Sequence, residues 1–234
     1  IFYPSSINEA GDVVGTAYLT NSQSQGMQPF IYKNGTASLL GNPFPYMSVY
    51  GINEAGMGVA SVRTTGELFQ YSLDGGMPLL DTIDDSYGGT IYLTRPSLDG
   101  SFGGHYLDSA GDYSTFVWNN STGVIPVLEE TQRTYAMDMS EAGDLIGYGY
   151  DEAIANGTIC YLHQDGVQRD FHDFLPGIGA PQMINENGQI LTLVLDPEDL
   201  SSRSYYLVDS KDFSYQLVRG DDHSEYVSEI TINA

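Results

Sequence analysis

A nine-residue phrase recurs along this chain and limits its fold more than any other feature. It reads INEAGDVVG at residues 7–15, INEAGMGVA at 52–60, MSEAGDLIG at 139–147 and INENGQILT at 184–192. A looser copy, SLDGSFGG, stands at 97–104. The turn glycines fall at Gly11, Gly56, Gly100, Gly143 and Gly188, spaced 45, 44, 43 and 45 residues apart. A fixed period of this length marks one supersecondary unit built several times, because a single unit cannot bury its own apolar face.

Each phrase is followed by a second signature. It reads FIYKNGT from Phe30, FQYSLDGG from Phe69 and FVWNNSTG from Phe116, with looser forms CYLHQDG from Cys160 and YYLVDSKD from Tyr205. The first phrase describes two short apolar strands around a tight turn. Asn can bond its own backbone two residues on, and Gly supplies the positive φ that the turn needs. The second describes an aromatic strand ending in Asn34-Gly35, Asp74-Gly75 or Asp165-Gly166, all favourable hairpin turns, and then a last short strand. The unit is therefore four strands, a to d, in about 45 residues, the size of one β-propeller blade. The reading is an all-β propeller of about five four-stranded blades in one domain. Its repeats cover residues 1–45, 46–90, 91–134, 135–178 and 179–225. Phe30, Phe69, Phe116, Cys160 and Tyr205 are expected at equivalent, buried strand-c positions.

The alternation of these signatures resembles the HAF-type extracellular repeats of bacterial secreted proteins, and the resemblance covers essentially the whole chain. It implies a secreted or surface-attached propeller without catalytic residues to carry over. Arg95-Pro96 in TRPSLDG departs from the pattern and singles out the inner hairpin of blade three. The two ends, IFYPSSIN and YVSEITIN, both match strand a. Residues 226–234 are thus expected as an extra or closing strand, or as a sign that the array continues in a larger propeller. The leading Ile1 points the same way, to a processed or excised segment.

Composition narrows the partners. Eight Lys and Arg against 31 Asp and Glu give a formal net charge of -23, which disfavours nucleic acid and anionic membrane surfaces. No apolar run is long enough for a membrane-spanning helix. The single cysteine excludes an internal disulfide. Cys160, standing where other repeats carry Phe, reads as a core thiol.

In a four-stranded blade the a–b and c–d turns share one face, and the b–c and d–a loops share the other. Loops on a rigid scaffold are where binding usually resides. The d–a segments carry Tyr46, Tyr87, Tyr135 and Tyr226 among carboxylates, and Arg95 stands near them in the sequence. Aromatic faces beside hydrogen-bonding groups suit a sugar ring. These five residues are the expected ligand contacts, and the expected partner is an extracellular glycan or protein. Asp221, Asp222 and His223 form an alternative metal cluster, and acidic loops could serve Ca²⁺. DFHDF at 170–174 offers similar ligands.

There is no Gly-x-Ser-x-Gly elbow, His-Glu-x-x-His motif or phosphate-binding glycine loop. A carboxylate pair for glycoside hydrolysis would have to be assembled by the fold. The leading expectation is a binding module without a required cofactor. The alternatives are a structural protein that self-associates through its terminal strands and a glycosidase-like enzyme.

Overall fold

The computed structural model describes residues 1–21, 24–41, 46–73, 76–83, 90–108, 111–127, 133–150, 158–173, 175, 178–195 and 202–219. Blade one holds β1 (Phe2–Ile7), β2 (Val13–Asn21), β3 (Ser24–Lys33) and β4 (Thr36–Leu39). Blade two holds β5 (Met47–Ile52), β6 (Met57–Val62), β7 (Glu67–Ser72) and β8 (Leu79–Thr82). In blade three come β9 (Ile91–Leu93), β10 (Phe102–Leu107), β11 (Tyr113–Asn119) and β12 (Gly123–Pro126). Blade four follows with β13 (Arg133–Met139), β14 (Leu145–Tyr150), β15 (Thr158–Gln164) and β16 (Val167–Asp170). Blade five is β17 (Ile178–Ile184), β18 (Gln189–Leu195), β19 (Arg203–Asp209) and β20 (Tyr215–Arg219). Every sheet is an antiparallel meander in chain order. The only helical element among the described residues is a short 3₁₀ turn at Phe171–Asp173.

The repeated phrase closes each inner hairpin as its residues dictate. The glycine N–H donates to the carbonyl three residues back in all five copies, at 3.0–3.1 Å. Asn8, Asn53 and Asn185 each accept the N–H four residues on at 2.9 Å, and Ser140 does the same at 3.0 Å. Blade three keeps the turn in spite of Arg95-Pro96, although β9 stops at Leu93 because Pro96 has no N–H to give. Asn34-Gly35 and Asp165-Gly166 both take positive φ, as a two-residue hairpin turn requires. Asp74-Gly75 lies outside the described residues.

The register corrects one detail of the repeat. The residue four beyond each turn glycine is small in the first four blades, because a strand-c aromatic of the same blade lies over it. Gly15 pairs with Phe30, Ala60 with Phe69, Gly104 with Phe116 and Gly147 with Tyr161; in blade five Thr192 pairs with Tyr206. Tyr161 and Tyr206, not Cys160 and Tyr205, are therefore the equivalents of Phe30. A one-residue slip sends a strand residue to the opposite face. Cys160 accordingly packs toward blade five with Ile146, Leu162, Ile184 and Ile190. It is a core thiol all the same, donating to the Gly179 carbonyl. Burial pushes its pKa up to about 12.

Cores form between consecutive blades, each made by one face of a blade and the opposite face of the next. Among the described residues, no strand packing of comparable extent joins blade one to blade five. On blade one, Phe2 is 56% exposed, with its ring edge-on to Phe30.

Candidate functional site

At the b–c loop end of blades two to four, tyrosines that alternate along the strands meet in a ledge of rings. Tyr92 on β9 stacks on His105 of β10 at 4.9 Å between centroids. His105 meets Tyr135 of β13 at 5.3 Å and Tyr113 at 5.7 Å. Tyr113 and Tyr135 lie 4.8 Å apart. Tyr135 then stacks on Tyr148 at 5.0 Å, and Tyr150 closes edge-on against Tyr148 at 6.1 Å. The Arg63 guanidinium begins the series, 5.8 Å from the Tyr92 centroid. Tyr92 and Tyr150 are 43% and 49% exposed, so both ends of the ledge reach solvent.

The ledge is rigid because its middle is held. His105 Nδ1 accepts the Ala136 N–H at 3.2 Å, which leaves the ring proton on Nε2. Burial depresses the pKa to about 4, so the imidazole is neutral. Burial, followed by neighbouring phenols, raises the pKa of Tyr135, and burial also raises that of Tyr148. The phenols therefore stay protonated and can donate as well as accept. Arg133 completes the far end, with Nε 2.8 Å from Asp112 Oδ1.

A second concavity lies between the blades. Strand a is bulged in blades one, two, four and five, and the bulge re-aims side chains into a central cavity of about 590 Å³. First strands of all five blades line it, with Ser6, Tyr50, Thr94, Arg95, Asp138 and Gln182 among them. Here the residue five before the turn glycine sews blades one, three and four to the next. Ser6 Oγ accepts the Ile52 N–H at 3.4 Å, Arg95 Nε donates to the Met139 carbonyl at 2.9 Å, and Asp138 accepts the Ile184 N–H at 3.1 Å. Arg95 also bonds the Ile184 carbonyl and lies 3.3 Å from Asp138. Gly51 holds the same position in blade two, where an added Cβ would come 2.5 Å from Arg95 Cα. Burial raises the Asp138 pKa against the opposing pull of Arg95. Asp138 is the one carboxylate among the described residues that line the cavity.

The sequence-derived candidates separate accordingly. Tyr135 is the centre of the ledge. Tyr46 is 62% exposed on the same rim, where its carbonyl accepts the Arg63 N–H at 3.2 Å. Arg95 sits elsewhere, in the cavity wall near the turn end, occupied with blade-to-blade bonds. Tyr87, Tyr226, Asp221, Asp222 and His223 lie outside the described residues. Among the described residues, no three His, Cys, Asp or Glu side chains gather to hold a metal ion. Sequence reasoning passed over Tyr92, His105, Tyr113, Tyr148 and Tyr150. One signal was present: Tyr3, Tyr92 and Tyr135 all stand eight residues before a turn glycine.

No protein-family model matches the chain, and no curated protein matches it. Solved structures do. The chain is similar to the β-propeller domain of the Trilobed protease from Pyrococcus furiosus, described as having an open velcro topology. There the TM-score is 0.62 at 11% identity, over 97% of this chain and 71% of that one. The fold is a β-propeller. TolB from Acinetobacter baumannii aligns with a TM-score of 0.53 at 10% identity, over 95% of this chain and 55% of its own. Virginiamycin B lyase from Staphylococcus aureus aligns at 0.57 and 10% identity, over 92% and 69%. The chain thus spans about half of TolB and about two thirds of the lyase. Identities this low speak to the fold alone, a scaffold suited to binding or to structure.

Proposed function

We propose that this propeller is an extracellular or cell-surface module that binds a glycan on the ring ledge. The continuous series Tyr92–His105–Tyr135–Tyr148 carries the reading. Sugar rings present flat C–H faces and hydroxyl edges. Rings with an apolar body and a polar tip meet both needs, and side chains already held in place lose little entropy on binding. The HAF resemblance supports the extracellular setting. Isothermal titration against a panel of oligosaccharides tests it. Tyr92→Ala and Tyr150→Ala should each weaken binding by roughly 1–2 kcal/mol, close to tenfold, in protein that melts normally. Unchanged affinity in both variants would remove the ledge as the site.

A second reading, a structural protein that associates through its ends, draws on one observation. Phe2, Tyr3 and Ile7 of β1, the first strand of blade one, are 56%, 55% and 65% exposed. Sedimentation velocity decides it, since association through β1 would raise the mass with concentration and would be lost in Phe2→Ser.

A further inference from the structure

We infer that the ledge prefers acidic sugars, those carrying a carboxylate, over their neutral counterparts, with Arg63 as the selecting group. This rests on the glycan reading above. Arg63 follows β6 at the rim, and its guanidinium lies over Tyr92 rather than beside an acid. Of the ion pairs formed among the described residues, one uses Arg95 and the other Arg133. Arg63 is in neither. Arg169 lies over the Phe213 ring in the same way, 4.8 Å from its centroid, but Arg63 is the one placed on the ledge.

The chemistry of the position follows from its geometry. A guanidinium over a ring is held by cation–π attraction, while its N–H groups spread in plane and stay open to acceptors. That arrangement suits a planar carboxylate, which can take two parallel hydrogen bonds from Arg. A sugar ring seated on the ledge beside Arg63 would bring a ring carboxylate within reach of that fork. A neutral hydroxymethyl group at the same place takes at most ordinary hydrogen bonds. Arg133 at the opposite end is already engaged with Asp112, so the asymmetry also orients the ligand, acid end toward Tyr92. The overall charge of -23 repels anions at a distance. Short ligands with a single carboxylate are therefore favoured over polyanions, and the contact acts at close range, where salt screens least.

The test compares matched pairs on the intact chain. Oligosaccharides ending in glucuronate, galacturonate or mannuronate are titrated beside their methyl esters, which keep the ring and remove the charge. At least one acid should bind on the order of tenfold tighter than its ester, a charge-assisted hydrogen bond's worth. Arg63→Gln should bring acid and ester within about twofold, by weakening the acid more than the ester. Tyr150→Ala should weaken acid and ester alike. Equal binding of acids and esters by the native protein would overturn the preference and leave the glycan reading standing. Selectivity retained in Arg63→Gln would overturn the assignment to Arg63. No binding by any acid or ester would overturn both the preference and the glycan reading.

Discussion

Tyr161 lies fully buried across Gly147, and its hydroxyl donates to the Tyr135 carbonyl at 3.2 Å, so one small residue sets both a blade core and the backbone beneath the ledge. An added Cβ at Gly147 would collide with the Tyr161 ring and the Tyr135 carbonyl. Gly147→Ala should cost roughly 1–3 kcal/mol, as overpacking does. A melting temperature equal to wild type would show that the ring can move aside. His105 gives a pH prediction. Its folded pKa of about 4 lies below the ordinary 6.5, so folding favours the neutral ring. The stability it contributes is complete above about pH 6.5 and is lost as pH falls toward 4, on the order of 3 kcal/mol. His105→Asn, which keeps an acceptor for Ala136 and does not titrate, should overtake wild type in relative stability across that window. His163 is depressed in the same sense, while Asp138 and Asp144, raised by burial, act oppositely; all three cancel between the two proteins. Parallel melting curves from pH 7 to 4 would refute the role of His105. Tyr46 and Tyr135 were legible because they flank turns. Tyr148 and Tyr150 were not, since alternating tyrosines in a strand look the same whether they face a neighbouring blade or a ligand.

The inner hairpin is the element that repeats most closely along the chain. Asn53 shows why its sequence is so repetitive. Its Oδ1 accepts the Met57 N–H within the turn, and its Nδ2 donates to the Ser97 carbonyl of the next blade at 2.6 Å. Asn53→Ala should destabilise by about 2–3 kcal/mol, because it strands a partly buried N–H and a buried carbonyl together. Asn8→Ala, where the Asp12 bond is lost within one turn, should cost nearer 1 kcal/mol. Equal costs, read from urea midpoints, would mean that the cross-blade bond contributes nothing. Neither substitution should alter the affinity of the folded fraction for a ledge ligand, since the turns close the opposite end of the blades. The Asn-x-x-Gly spacing made this hairpin readable, but the bulge just before it was hidden. A bulge adds a residue without changing composition, and it displaces the alternation that strand reading depends on. The same limit explains Cys160 and Tyr205. The sequence offset between the strand-c aromatic and the residue that opens the second signature's turn varies, five from Phe69 to Asp74 and four from Tyr161 to Asp165, so it does not mark the paired position.

At the scale of the whole molecule, five repeats fixed the number and order of the blades, because each packs mainly on its sequence neighbours. Spacing could not say how the ends meet: the expected closing strand, 226–234, lies outside the described residues, among which blades one and five share no strand packing like that of consecutive blades. Charge is the other property that belongs to the molecule and not to any site. Acids outnumber bases by 31 to eight, so even full pairing would leave most of the acids without a basic partner. Most of the surface charge is therefore uncompensated, and the folded chain concentrates it. Repulsion of this kind acts between groups farther apart than a hydrogen bond, and salt screens it over about 10 Å at 0.1 M. Raising NaCl from about 10 mM to about 200 mM should raise the melting temperature, with most of the gain in the lower half of that range, where the Debye length shrinks fastest. A gain that appeared only at molar salt, and more strongly with sulfate, would instead reflect strengthened apolar burial. A flat response would mean that bound cations already neutralise the acids. In that case chelation with EDTA should lower the melting temperature and restore the salt dependence, which would bring Ca²⁺ forward as a structural ion.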